Sequence, residues 1–176
     1  MNLSNKSNWY VIWVQSGKEY EIKEKLEALV PEDLYERIII PYKLMPKRLA
    51  GQWFTTKVKL FAGYIFIVTN DPEAIKPYLK EILDFADFLR QDGKIIPIYT
   101  EEEKFLLTLM GKKEEVDMSC GIIVGDEIRV ISGPLIGQEA KIKKIDRHKR
   151  KALIATELLG RTVEVTVGLE VVNKVV

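Results

Sequence analysis

Seven basic side chains stand within residues 141–152, KIKKIDRHKRKA: Lys141, Lys143, Lys144, Arg147, Lys149, Arg150 and Lys151, against one acid, Asp146. Arginine presents a planar fork of donors that fits phosphate oxygens or a guanine edge, and lysine adds a mobile point charge. His148, inside the run, can stack or donate. The chemistry on offer is anion binding. The whole chain carries 27 basic and 26 acidic residues, so this is a local concentration in a balanced protein. A solvated hairpin is the plain alternative for any charge run. Against it, residues 147–150 would repel one another at a tip unless an anion compensated.

Other chemistry is poorly provided for. His148 is the only histidine and Cys120 the only cysteine. No catalytic triad, histidine metal cluster, Cys-rich zinc site or internal disulfide can be built from them. Neither an enzyme nor a metal or other cofactor is expected. The 176 residues, 47% apolar and 30% charged, suffice for one core, or one plus a small second one. The longest tight apolar run, GYIFIV, falls well short of the roughly 18 residues a membrane span needs. The first residues lack a long apolar stretch followed by a small-residue cleavage site, so a cytoplasmic protein with no membrane partner is expected.

The elements that must position the basic run fall into two halves. Residues 109–121, LMGKKEEVDMSCG, are polar and aperiodic and read as a linker. Before them, WYVIWVQ (9–15) is a strand, and Ser16 and Glu19 have capping-box spacing at the start of a helix. Ile22, Leu26, Leu29 and Val30 give that helix one apolar face, and Pro31 ends it. ERIIIPYKLM (36–45) and FTTKVKLFAGYIFIV (54–68) read as strands joined by a KRLAGQ turn. Asp71-Pro72 opens a second helix over EAIKPYLKEIL (73–83), interrupted at Pro77. Short strands at FADFLRQ (85–91) and KIIPIY (94–99) follow, then a helix opened by Thr100 and Glu103. This order predicts an α+β sandwich with helices on one side of the sheet.

After residue 121 only short strands are expected: EIRVIS, EAKIKKID, KALIATEL, RTVEVTV and LEVVNKV. Five of them in so short a stretch predict a small all-β barrel, closed so that no edge is exposed. The basic run crosses two of these strands and the hairpin tip near 146–150. This half holds ten basic and seven acidic residues, +3; the first half holds 17 and 19, −2.

Four segments together resemble one family. GDEIRVISGPLIGQEAKIKKID (125–146) and LLGRTVEVTV (158–167) resemble the KOW domain of the NusG/Spt5 transcription elongation factors. NWYVIWVQSGKE (8–19) and KLFAGYIFI (59–67) resemble the paired hallmarks of their N-terminal (NGN) domain. The resemblance spans residues 8–176 in the right order. It implies a ferredoxin-like NGN domain over 8–108, a linker over 109–121 and a Tudor/SH3-like KOW barrel over 122–176. It also implies docking on RNA polymerase, through the clamp helices of its largest subunit. By position Trp13, Phe61, Tyr64, Phe66 and Phe88 match the aromatic contacts of that surface. The residues agree in one respect: both faces of the strands at 9–14 and 64–68 are apolar, whereas two helices cover only one. FAGYIFIV also resembles the RNP1 segment of an RNA-recognition motif, but the basic residue before the glycine is missing and this half is acidic.

Departures from the general family pattern narrow the reading. The second aromatic and the glycine after GP are replaced by Gln138 and Ala140, which argues against Rho and ribosomal-protein partners. The pair that reads non-template DNA falls at Glu81 and Ile82, poor base readers, so that strand is at most a secondary partner. With its basic barrel tip the chain resembles the LoaP-type antiterminator paralogs, which bind a hairpin in nascent RNA through the KOW domain. The implied RNA contacts are Lys143, Lys144, Arg147, His148, Lys149, Arg150 and Lys151. A monomer is expected, and a general NusG factor is the alternative.

Overall fold

A computed structural model describes residues 7–82 and 85–175. Residues 1–6, on which the reading of the chain start draws, and Leu83, the end of the expected second helix, lie outside them. In chain order the first elements are β1 (Asn8–Trp13), α1 (Glu19–Leu29), β2 (Arg37–Ile39), β3 (Tyr42–Leu49), β4 (Gln52–Lys59) and β5 (Tyr64–Thr69). Next come α2 (Pro72–Glu81), β6 (Asp87–Phe88), β7 (Arg90–Gln91), β8 (Lys94–Ile95) and α3 (Thr100–Met110). The last are β9 (Glu115–Val116), β10 (Ser119–Val124), β11 (Glu127–Ser132), β12 (Ile142–Asp146), β13 (Lys151–Leu158) and β14 (Arg161–Val175). The fold is α+β, as expected. No helix among the described residues is long and apolar enough to cross a membrane.

Two compact units form, and they do not divide the chain at one point. The first comprises Met1–Ile40 and Phe61–Glu103; the second comprises Pro41–Leu60 and Lys104–Val176. The hairpin β3–β4 therefore groups with the C-terminal strands, where a single cut at 109–121 would put it with the N-terminal sheet.

In the first unit the sheet order is β2-β5-β1-β6, all antiparallel. The register sets Trp13 opposite Tyr64, Val11 opposite Phe66 and Trp9 opposite Val68. Four successive residues of β1, Trp9 to Ile12, are buried, so both faces of this strand are covered. The apolar face expected to be open is therefore covered over Trp9 and Val11 and opens only at Trp13 and Tyr64. Ile22 and Leu26 of α1 are fully buried, whereas Leu29, on the same stripe but at the last residue of the helix, is exposed. Ser16 makes no cap; the helix starts at Glu19 with no side-chain bond from its N-cap Lys18. In α2, Asp71 Oδ1 accepts from the Ala74 amide at 3.0 Å, as the cap predicts. Pro77 does not interrupt this helix; it lies on the exposed side, where water can satisfy the carbonyl it frees.

In the second unit β3 and β4 pair from Tyr42–Lys59 to Leu49–Gln52. The turn is Ala50-Gly51 alone, with φ of 49° and 81°, the left-handed pair that a tight two-residue hairpin requires. The larger sheet runs β11-β10-β14-β13-β12. Two expectations change here. RTVEVTV and LEVVNKV are one strand, because Gly168 lets β14 pass without a turn: a Cβ there would meet Met118 Sδ and, at 3.1 Å, the Leu44 carbonyl. The fifth strand is β10, which begins inside the segment read as a linker. That segment also holds the end of α3, a 3₁₀ turn and β9, which pairs in parallel with β3.

β10 is an interior strand, antiparallel to β11 and parallel to β14, and Ser119 Oγ accepts from the Leu135 amide at 3.1 Å. A fragment beginning at Ile122 cuts through this strand; one beginning at Asp117 keeps it. The longer fragment is expected to be more stable by about 2 kcal/mol, from the ladder bonds and the Ser119 bond retained. Equal urea midpoints for the two would make Ser119–Gly121 dispensable.

Candidate functional site

The first candidate surface lies at the end of β1. Trp13 is 46% exposed and Tyr64, its cross-strand partner, is half-buried. Both are the last ring-bearing residues before the strands turn away. Val14 donates to the Gly63 carbonyl at 2.9 Å. The fully buried Glu19 carboxylate accepts from the Gly17 and Gly63 amides, each at 2.8 Å. One side chain thus joins the start of α1 to the loop before β5. Gly63, at φ 81°, leaves only 3.1 Å between a would-be Cβ and the Val14 carbonyl, so the approach needs glycine. The result is an open groove of about 470 Å³ whose walls include Trp13, Ala62 and Phe85.

Three of the five expected contact aromatics are core residues. Phe61, Phe66 and Phe88 are 3%, 0% and 3% exposed. Phe66 meets Trp9 edge-on at 6.1 Å between centroids and Phe61 at 5.9 Å; Phe88 meets Tyr10 edge-on at 6.1 Å. Ring–ring packing of this kind stabilises a core and leaves nothing for a partner to grip. The surface therefore keeps Trp13 and Tyr64, and it gains Phe85, 75% exposed. Sequence reading placed Phe85 at the start of a strand over 85–91; the strand begins only at Asp87, which leaves Phe85 in the preceding bend and exposed.

The second candidate surface is the turn between β12 and β13. Asp146 Oδ1 accepts from the Lys149 amide at 2.9 Å, closing an Asx-type turn, and Arg150 takes φ 51° to re-enter the strand. Arg147, His148 and Lys149 are exposed at this tip. A bulge in β12 between Ile142 and Lys144 breaks the alternation, and Lys143 and Lys144 are both exposed. Arg150 is turned inward instead. Its guanidinium lies 4.4 Å from the Trp53 ring centroid, and Nη1 pairs with Glu170 Oε1 at 2.9 Å. A base-reading role for Arg150 conflicts with these contacts. Lys151 is half-buried, and Lys141, outside the expected set, lies 4.5 Å from the Phe105 ring centroid.

Lys43 of β3 also belongs here: its Nζ donates to the Thr166 carbonyl of β14. Burial holds its pKa below the usual lysine value, and Lys151 lowers it further. By unit, the charges separate more than the linear halves do. The first unit has 9 basic and 16 acidic residues, −7; the second has 18 and 10, +8. Of the positions aligned with DNA reading, Ile82 is buried, which removes it as a contact.

Residues 7–107 match the family model described as transcription termination factor nusG, and residues 124–156 match the KOW motif. The chain is 28% identical over 174 residues to the transcription termination/antitermination proteins NusG of Staphylococcus aureus strains Mu50 and N315, covering 94% of this chain and of each relative. It is also similar to the solved structure described as "Domain interaction in Thermotoga maritima NusG", with a TM-score of 0.56, 28% identity, and 93% and 94% of the two chains covered.

Proposed function

Since the chain belongs to the NusG family of transcription factors, we propose that it is a specialised antitermination factor acting as a monomer on RNA polymerase. The N-terminal unit docks on the clamp helices of the largest subunit through Trp13, Tyr64 and Phe85. The barrel tip binds a hairpin of the nascent transcript through Lys143, Lys144, Arg147, His148 and Lys149, with Lys151 at its edge. Tethering the RNA to polymerase raises its effective concentration and holds the factor on the elongating complex. The two activities need no covalent chemistry, in keeping with a family of transcription factors rather than enzymes.

The observation that carries this reading is the charge separation, −7 in one unit and +8 in the other. A polyanion is repelled by the first unit and attracted by the second, so polymerase docking and RNA binding can occupy different parts of one chain. The exposed Ile131 and Ile136 favour a second reading, a barrel that grips Rho or a ribosomal protein. Gln138, in place of an aromatic, argues against it.

A salt titration against a labelled RNA hairpin with a randomised loop tests the proposal. With about four phosphates engaged, the wild-type log–log slope should be about −3. Arg147→Ala/Lys149→Ala should bring it to about −1.5. A double variant with wild-type affinity and slope would reduce the tip to a solvated hairpin.

A further inference from the structure

The hairpin Pro41–Leu60 contains five basic residues, Lys43, Lys47, Arg48, Lys57 and Lys59, and no acid. The barrel it packs with is itself positive. Bringing two elements of one sign together is electrostatically unfavourable in the free protein, and a polyanion spanning them would relieve the repulsion. Three contacts nevertheless hold them: Arg150 over the Trp53 ring, Lys43 to the Thr166 carbonyl, and the approach of Leu44 to Gly168.

Resting on the RNA-binding reading above, we propose that the β3–β4 hairpin and the barrel tip form a single RNA-binding surface, with the hairpin as its second wall. The geometry sets the scale. The Arg48 and Arg150 guanidinium carbons lie 5.7 Å and 4.4 Å from the same Trp53 centroid, hence no more than 10.1 Å apart. That separation is short enough for both to lie against one stretch of RNA backbone. Arg150, committed to Trp53 and Glu170, is a positioning residue that fixes the hairpin beside the tip. Lys47 and Arg48 are exposed at the hairpin's end on its two faces, Arg48 over the Trp53 ring on the side of Arg150, and both can meet phosphates at the margin of the Arg147 and Lys149 tip. Phe54, the cross-strand neighbour of Lys47 on the hairpin's other face, is 49% exposed and presents a ring to an unstacked base. Closed duplex DNA offers no such base; the looped end of an RNA hairpin does. Lys43 and Lys151, both half-buried, add two interacting like charges whose repulsion a phosphate would relieve.

The test uses the full chain, the same randomised-loop RNA hairpin, and a DNA duplex of matched length. Four proteins are compared: wild type, the tip variant Arg147→Ala/Lys149→Ala, the hairpin variant Lys47→Ala/Arg48→Ala, and its charge reversal Lys47→Glu/Arg48→Glu. The hairpin variants alter only exposed side chains, so their melting should match wild type. The expected result is an affinity loss of about tenfold at low salt for Lys47→Ala/Arg48→Ala, a slope shallower by about 1.5, and a larger loss for the reversal. If the tip variant weakens binding while both hairpin variants bind like wild type, the shared surface is wrong and the barrel-tip reading stands. If neither pair matters, the barrel-tip reading fails and takes this inference with it. Equal affinity for the DNA duplex would overturn the assignment to RNA.

Discussion

Phe66→Ala should destabilise the N-terminal unit by about 4 kcal/mol, within the range for deleting a buried phenylalanine ring. Phe66 is fully buried, sits opposite Val11 and Ile39 in the sheet, and carries both the Trp9 and the Phe61 ring contacts. Truncation removes apolar burial, leaves a cavity and breaks two aromatic pairs at once. Urea denaturation of the variant against wild type gives the value directly. A loss below about 1 kcal/mol would mean that the ring is not packed as described. Any drop in polymerase binding by this variant would then be traced to unfolding, since no atom of the ring is open to a partner.

Trp13→Ala/Phe85→Ala is expected to do the reverse. Both side chains are exposed, so stability should stay within about 0.5 kcal/mol of wild type. Polymerase docking should fall by up to about 4 kcal/mol, from two aromatic anchors of about 2 kcal/mol each, or about a thousandfold. Binding to the isolated clamp helices measures this without RNA. Retained affinity with both rings gone would move the docking site away from the groove. The contrast between the two variants separates a core aromatic from a contact aromatic, a distinction that residue type cannot make.

The inward turn of Arg150 has a similar consequence for the barrel. Sequence reasoning treats the four residues 147–150 as equivalent tip charges. In the fold, Arg147, His148 and Lys149 face solvent, while Arg150 spends its guanidinium on Trp53 and Glu170. Removing Arg150 therefore disturbs the placement of the β3–β4 hairpin, so a binding loss in that variant cannot be assigned to lost RNA contact.

Local patterns were enough to identify much of this protein. The period-2 valines of RTVEVTV marked a half-buried strand, Asp71-Pro72 marked a helix start, and Asp146 with its basic neighbours marked the tip. Each depends on backbone geometry set by neighbours in the chain. The lone histidine and cysteine likewise restricted the chemistry, because a residue that is absent cannot be supplied by folding. Tertiary structure decided what local pattern cannot encode. Alternation puts Phe66 and Trp13 on the same face of the sheet, yet one is buried and the other half open, because coverage depends on residues distant in sequence. Gly168 looked like a turn and instead admits a neighbouring backbone. The hairpin Pro41–Leu60, read with the N-terminal half, packs with the C-terminal strands and changes the charges from −2 and +3 to −7 and +8. Electrostatic partition follows spatial neighbours, and only the folded chain specifies which those are.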